Sequence, residues 1–259
     1  MSDLPIGAQR PNPVLEEIVL TGTVLLPSGE RVPVSSQIDP ACGALLKKSV
    51  AEVRPSVAVE VGLAYGISTL YLLEALALSG AKKLIGMDPA QFDDFWRGGG
   101  VHNVKRSGYG NLYEFHENSS QQILPALVAR GERIGLGFID GWHTFDHVLV
   151  DFFYIDQMLE VGGIVVFDDV GYPAIRRLCE FVISNRAYEV YGTVRYRSPP
   201  TLRRKAKRWA RELLLPIYRT DQTPVLETRT KLACLHDVYF LALKKTADDQ
   251  RRWDHFVHF

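Results

Sequence analysis

The apolar residues of this chain alternate between short continuous runs and longer runs at helical spacing. Runs of about five apolar residues predict buried strands, and a period near 3.6 predicts helices. Strands are predicted at 57–61, 83–88, 112–116, 135–140 and 163–168, and the helices that follow them at 67–79, 119–129, 145–159 and 173–186. Two late strands are predicted at 188–194 and 237–243. This alternation predicts an α/β fold with a doubly wound, mostly parallel sheet.

The first 39 residues form an N-terminal extension in this interpretation, ahead of one domain at 40–259. Two β-like runs, Ile18 to Leu26 and Arg31 to Val34, flank a Pro-Ser-Gly-Glu segment and predict a β-hairpin. Asp39 followed by Pro40 predicts the start of a helix, because aspartate suits the N-cap and proline the first helical turn.

Composition and charge narrow the class of protein. The chain has 259 residues, is 46% hydrophobic and carries 30 basic and 30 acidic residues, which is typical of a globular protein and gives no argument for nucleic-acid binding. Its three cysteines are isolated, and it has neither an apolar leader-like segment nor an uninterrupted apolar stretch long enough to span a membrane. We therefore expect a cytoplasmic location.

The loop after the first predicted strand of the sheet carries the first sign of function. Glu60 ends the strand, and Gly62 and Gly66 lie in the turn before the next helix, a geometry that suits a bound cofactor. A dinucleotide fingerprint would need glycine at 64 and 67, where the chain has alanine and isoleucine. Asp88 ends the second strand, where an acid can accept hydrogen bonds from ribose hydroxyls. The pattern predicts a nucleoside cofactor.

Three acids mark the ends of two later strands. Asp140 follows the fourth strand of the sheet, and Asp168 and Asp169 follow the fifth. Because parallel strands end at the same edge of a sheet, these carboxylates should cluster and repel each other unless a cation neutralises them. The sequence therefore predicts a Mg²⁺ site formed by the three acids, although acids at strand ends also cap helices.

The glycine-bearing loop and the acids at the strand ends each resemble a motif of known methyltransferases. Glu60-x-Gly62-x-x-x-Gly66 resembles motif I of class I methyltransferases, which bind S-adenosylmethionine (SAM) and have a Rossmann-like, seven-stranded sheet ending in an antiparallel ribbon. Asp140-Gly-Trp-His143 with Asp168-Asp169 resembles the catechol O-methyltransferase-like branch and small bacterial methyltransferases that act on sugars and antibiotics. The resemblance covers about 40–190. The chain differs from the catechol enzymes in His143, where they have lysine, and in Asp169, where they have asparagine.

The resemblance implies roles for individual residues. His143 would be the catalytic base, beside Asp140, although a structural histidine is an equal alternative. The metal ligands would be Asp140, Asp168 and Asp169. Asn118 to Gln121 align with the adenine-side segment of the family but lack its usual acid. The implied cofactor-binding residues are Glu60, Gly62, Leu63, Tyr65, Gly66 and Ser68 for the methionine part, Asp88 for the ribose, and Ser119, Ser120 and Trp142 for the adenine.

A basic insertion, about 195–235, precedes the last predicted strand. Residues 201–215 carry six basic residues and one acid, with apolar residues at helical spacing. Such a helix can contact an anionic membrane peripherally, bind an acidic substrate, or pack on its own domain with a solvated basic face. It could also cover the substrate cleft or form a homo-oligomer interface.

The sequence thus predicts an enzyme that transfers a methyl group from SAM to a hydroxyl of a small molecule, with Mg²⁺ assistance. The acceptor would be a sugar, a polyketide or a phenolic metabolite. Two alternatives remain: an NAD-linked oxidoreductase, and a non-catalytic SAM-binding or peripheral membrane module that uses the basic helix.

Overall fold

A computed structural model describes residues 12–196, 235 and 237–257. Its helices are α1 Pro13–Thr21, α2 Pro40–Val53, α3 Ile67–Ser79, α4 Gly99–Arg106, α5 Ser120–Ala129, α6 Phe145–Met158 and α7 Pro173–Asn185. Its strands are β1 Thr23–Leu25, β2 Arg31–Pro33, β3 Val57–Val61, β4 Lys83–Met87, β5 Tyr113–His116, β6 Ile134–Ile139, β7 Leu159–Phe167, β8 Tyr188–Arg195 and β9 Val238–Lys245. One 3-10 turn, Gly110–Leu112, precedes β5.

The main sheet has seven strands in the order β5-β4-β3-β6-β7-β9-β8. All neighbours pair in parallel except β9, which runs antiparallel to both β7 and β8. The predicted doubly wound fold with a late antiparallel ribbon is confirmed. The chain order reverses between β3 and β6, and open α/β sheets bind ligands at such a reversal, beyond the carboxyl ends of the strands.

The inner strands are apolar along their whole length because helices cover both faces of the sheet. Every residue of β3 and β6 is buried. Two clusters of buried side chains form the core, one on each face, with α2 and α3 in the first and α5, α6 and α7 in the second. This burial on both faces is typical of parallel sheets.

The N-terminal segment differs in part from the sequence prediction. Strands β1 and β2 pair antiparallel, but the predicted strand from Ile18 was wrong up to Thr21, because α1 extends that far. The Asn12 side chain caps α1 by accepting hydrogen bonds from the backbone N–H groups of Val14 and Leu15. This cap and Pro13 at the first helical position start a helix that strand propensity alone does not reveal.

Helix α2 begins as predicted, with Asp39 as its N-cap and Pro40 in its first turn. The predicted basic helix at 201–215, and most of the insertion about 195–235, lie outside the described residues. Among the residues that the structure describes, no helix is both long enough and apolar enough to cross a membrane.

Candidate active site

The loop between β3 and α3 is a tight turn in which several residues have positive φ. The φ angles are +91° at Gly62, +48° at Ala64 and +78° at Gly66. A Cβ at Gly62 would lie 2.0 Å from the backbone oxygen of Asp140, so the loop packs directly against the end of β6. Only glycine satisfies both the angle and the contact at position 62.

Glu60 connects the end of β3 to the start of α3 through hydrogen bonds in the protein interior. Its side chain is fully buried, and its two carboxylate oxygens accept hydrogen bonds from the hydroxyls of Ser68 and Thr69, each at 2.7 Å. Burial raises the pKa of Glu60 from its ordinary value of 4.5 to about 8. These hydrogen bonds join the strand end to the first turn of α3, and the role of Glu60 and Ser68 in positioning the methionine part stays a prediction.

Asp88 is likewise engaged with the loop. One carboxylate oxygen accepts hydrogen bonds from the backbone N–H groups of Leu63 and Ala64, at 3.1 and 3.0 Å, and the other from Ala90 at 2.8 Å. The residue is 7% exposed. Among the described residues, its Oδ1 accepts only the hydrogen bond from Ala90, so it has acceptor capacity left for a ribose hydroxyl, and the predicted ribose contact stays a prediction.

Two more predicted cofactor residues have side chains in the protein interior. Leu63 is buried, and Tyr65 packs edge-on against Trp96, with ring centroids 4.9 Å apart. Their side chains support the loop, and their predicted role in cofactor binding stays a prediction.

Helix α4 lies over the loop and was missed in the sequence. A Cβ at Gly100 would lie 2.4 Å from the backbone oxygen of Ala64. Gln91 is fully buried; it donates a hydrogen bond to that oxygen and accepts one from the Gly100 N–H. Asn103 donates to the backbone oxygen of Tyr65 at 3.0 Å. Because these contacts use short polar and glycine residues, the helix has only two valines among its eight residues and gives a weak apolar signal in the sequence.

An acidic cluster with one histidine lies at the ends of β6 and β7. Nε2 of His143 is 3.7 Å from Asp140 Oδ1 and 3.4 Å from Asp169 Oδ2. One ligand-type atom from each of Asp140, His143 and Asp169 lies within 4.8 Å of the others. Asp168 is not part of this set, and its carboxylate accepts a hydrogen bond from the Asp169 N–H at 2.7 Å. The structure thus brings together two of the three predicted metal ligands, with the predicted base in the third place.

The charges of this cluster affect each other strongly. Burial and, to a smaller extent, the neighbouring Asp140 together raise the pKa of Asp168 to about 8. Burial also raises the pKa values of Asp140 and Asp169. The pKa of His143 is raised chiefly by its contact with Asp140. A protonated His143 between two carboxylates takes the place that a cation would fill.

The donor set fits a divalent cation. Two carboxylates and an imidazole that converge on one point can bind Mn²⁺ or Fe²⁺. Mg²⁺ prefers oxygen ligands, so it would be bound chiefly by the carboxylates. Asp169 has a positive φ of +52°, and its carboxylate contacts His143. Asp168 gives a third oxygen donor at the same strand end.

The predicted adenine-side residues lie at the start of α5 and in the turn after β6. Ser119 is the N-cap of α5 but makes no side-chain cap hydrogen bond, and Ser120 is buried. Trp142 is 68% exposed, and its ring centroid lies 6.1 Å from that of His147. The exposed indole leaves an aromatic surface open to a planar ligand.

Tyrosines that the sequence analysis did not single out surround the acidic cluster. The ring of Tyr172 stacks on His143 with a centroid distance of 5.4 Å, and Tyr196 packs on Tyr239 at 4.8 Å. Tyr172 and Tyr196 are each 52% exposed. The sequence held a signal for both, because Tyr172 follows the paired acids and Tyr196 follows β8, which runs parallel to β7 and ends at the same edge.

The fold and the motif-bearing loop define a class I methyltransferase architecture. Residues 59–170 match the model of a methyltransferase domain family. The match begins in β3, ends after the paired acids that follow β7, and so covers the first five strands of the main sheet. No curated protein matches the chain at a significant level.

Several solved structures share this fold. An O-methyltransferase from Bacillus cereus, in complex with S-adenosylhomocysteine (SAH), has 14% identity and a TM-score of 0.60, with 93% of each chain covered. The O-methyltransferase TomG from Streptomyces achromogenes, involved in tomaymycin synthesis and in complex with SAM, has 16% identity and a TM-score of 0.56, with 82% of each chain covered. An SAH-bound methyltransferase from Podospora anserina has 16% identity and a TM-score of 0.52, over 69% of this chain and 80% of its own.

The buried Glu60 gives a pH-dependent prediction for stability. Because its pKa is raised, the stabilisation it contributes is fully present below the unfolded value near 4.5 and is lost as the pH rises through about 8. Glu60→Gln should remove this loss, so that the variant is more stable than the wild type at pH 9, by up to a few kcal/mol, and the gap should close towards pH 5. Denaturant unfolding across this range measures it, with the exposed Glu160→Gln as the control. A gap that is constant with pH would contradict the buried, protonated state of Glu60.

Proposed function

We propose that this protein transfers a methyl group from SAM to a hydroxyl of a small molecule, with the assistance of a divalent cation. The observation that carries the proposal is the convergence of Asp140, His143 and Asp169 at one edge of a methyltransferase domain. SAM is proposed because the domain matches that family and because structural relatives hold SAM or SAH. The cation is proposed from the donor set alone.

The residues of the chain divide the chemistry between them. Asp140 and Asp169, with Asp168 beside them, would hold Mg²⁺ or Mn²⁺, which when bound lowers the pKa of an acceptor hydroxyl. His143 would either accept the acceptor's proton at Nε2 or serve as a ligand. It acts as a base only when neutral. The carboxylates raise its pKa and so favour the protonated form, and a cation bound to them would counter that effect and favour the neutral imidazole.

The acceptor would approach from the side of the exposed tyrosines. Tyr172 and Tyr196 flank the cluster and can pack against a sugar, polyketide or phenolic ring. We propose no nucleic-acid partner, because basic and acidic residues balance. Peripheral membrane contact by 201–215, a homo-oligomer and a cytoplasmic location remain proposals from the sequence.

A labelled-methyl assay tests this function directly. The protein is incubated with methyl-labelled SAM and a panel of catechols, hydroxylated polyketides and sugars, each with Mg²⁺, with Mn²⁺ and with EDTA. Label should appear in at least one hydroxylated acceptor and disappear with EDTA. Transfer that continues undiminished in EDTA would remove the cation from the mechanism, and transfer only to nitrogen acceptors would contradict the O-methyl assignment.

Tyr172→Ala should impair acceptor binding without impairing cofactor binding. Removal of the ring that stacks on His143 takes away apolar contact with the acceptor and frees the imidazole to rotate. We expect the acceptor KM to rise about tenfold or more, as for the loss of a buried aromatic contact, with the SAH Kd unchanged. Tyr172→Phe keeps the ring and should retain near-normal KM. If the alanine variant kept both constants, Tyr172 would not form part of the acceptor site.

A further inference from the structure

A buried carboxylate without a partner lies close to the proposed adenine site. Asp151, on α6, is 1% exposed, and its Oδ1 has no hydrogen-bond partner among the described residues. Asn12 Nδ2 and the Tyr113 hydroxyl share this state within the described part of the chain, but only Asp151 is an acid. An unpaired carboxylate oxygen in the interior is costly, so its presence calls for a donor that completes it.

The neighbours of Asp151 place it beneath the cofactor edge of the sheet. Burial raises its pKa to about 6, and a hydrogen bond from Ser120, in the first turn of α5, acts in the opposite direction. On another side, a Cβ at Gly141 would lie 3.7 Å from Asp151 Oδ2 and 2.8 Å from Val61. Asp151 therefore lies between the start of α5 and the turn after β6, next to the reversal of strand order between β3 and β6.

The groups around this carboxylate are complementary to an aminopurine. The first turn of α5 has no side-chain cap, so its backbone N–H groups can donate to ring nitrogens. Trp142 presents an exposed indole that a planar base can stack on. An unpaired carboxylate oxygen accepts hydrogen bonds and repels carbonyl oxygens, so it favours an exocyclic amine over an oxo group. The segment from Asn118 to Gln121 contains no acid that could do this instead.

We propose that Asp151 determines the nucleobase specificity of the site, by accepting a hydrogen bond from the exocyclic amino group of the cofactor's adenine. Ser120 lies beside this hydrogen bond, and Trp142 packs against the base. Because Asp151 is only 1% exposed in this structure, this hydrogen bond requires the turn that begins at Gly141 to move outward when the base binds. The proposal rests on SAM as the cofactor, and it assigns to α6 a role that the sequence motifs give to no residue of this helix.

Calorimetric titration with SAH and with S-inosylhomocysteine tests the proposal, since the second ligand has an oxo group in place of the amine. The wild type should bind SAH on the order of a hundredfold more tightly, as sites that read a polar group discriminate strongly. Asp151→Asn is nearly isosteric, and its amide can donate to the oxo group or accept from the amine. This variant should lose most of the discrimination, chiefly by binding S-inosylhomocysteine more tightly.

Asp146→Asn is the matched control. Asp146 lies on the same helix, but its side chain is 78% exposed, so the variant removes an acid that is not buried. It should keep the wild-type preference. If folded Asp151→Asn also kept the preference, or if the wild type bound both ligands equally, the role of Asp151 would be overturned while SAM binding stood. If the wild type bound neither ligand, the proposed cofactor and this inference would both fall.

Discussion

Asp140→Asn should abolish cation-assisted methyl transfer while the protein stays folded and still binds SAH. The change removes one of the two carboxylates that converge with His143 at the proposed cation site. Asp140 Oδ1 is 3.7 Å from His143 Nε2. Removal of one preorganised electrostatic group typically lowers kcat by about 10²–10³-fold, and we expect a loss of at least this size. Because burial raises the pKa of Asp140, the neutral amide should not lower stability at neutral pH.

The binding of Mn²⁺ to a set of variants checks this expectation. Electron paramagnetic resonance of Mn²⁺ should show tight binding by the wild type and by Asp94→Asn, an exposed acid after β4, but weak binding by Asp140→Asn. Asp168→Asn then separates the two ligand sets, since it should bind Mn²⁺ almost normally if His143 is the third ligand and weakly if Asp168 is. Wild-type Mn²⁺ binding in Asp140→Asn would show that the cluster is not a cation site.

Gly62→Ala should unfold or strongly destabilise the protein and remove SAH binding. The new Cβ would lie 2.0 Å from the backbone oxygen of Asp140, at a φ of +91°, so that both strain and a backbone clash oppose it. We expect a loss of about 3 kcal/mol or more, which lowers Tm by roughly 6–12 °C for a chain of this size. Any relaxation displaces the turn after β6, and with it Asp140 and Trp142.

Gly80→Ala is the matched control for this variant. Gly80 also has a positive φ, +75°, at the end of α3, but a Cβ there would meet no atom within 4 Å. It should cost only the strain of the backbone angle, about 1 kcal/mol, and leave SAH binding intact. Equal Tm values for the two variants, by differential scanning calorimetry, would show that the contact between the loop and β6 does not constrain the site.

The parallel sheet could be predicted because its inner strands are buried on both faces. Strand β3 and helix α3 have the predicted bounds, and the acids after β6 and β7 converge because neighbouring parallel strands end together. The bounds of these elements follow from the spacing of apolar residues, and the convergence of the acids follows from the order of the strands. Helix α1 was missed although Asn12 and Pro13 give it the N-cap and first-turn signal that also starts α2, because the apolar run from Ile18 fits a strand equally well.

The orientation of individual side chains was much less predictable. Glu60 ends a strand, as a ligand-facing acid would, yet it points towards Ser68 and Thr69. Asp151 looks in the sequence like a polar position on a surface helix, and only packing against α5 and β6 makes it an unpaired buried acid. Such roles arise from contacts between segments that are distant in the chain.

Thermal unfolding with SAH tests the methyltransferase function most directly. At about a hundred times its Kd, SAH should add roughly 2.7 kcal/mol of stability and raise Tm by several degrees. Mg²⁺ or Mn²⁺ should add a second shift that EDTA reverses and that Asp140→Asn lacks. If SAH produced no shift in the folded protein, at any concentration and with either cation, the proposed cofactor and the function built on it would be contradicted.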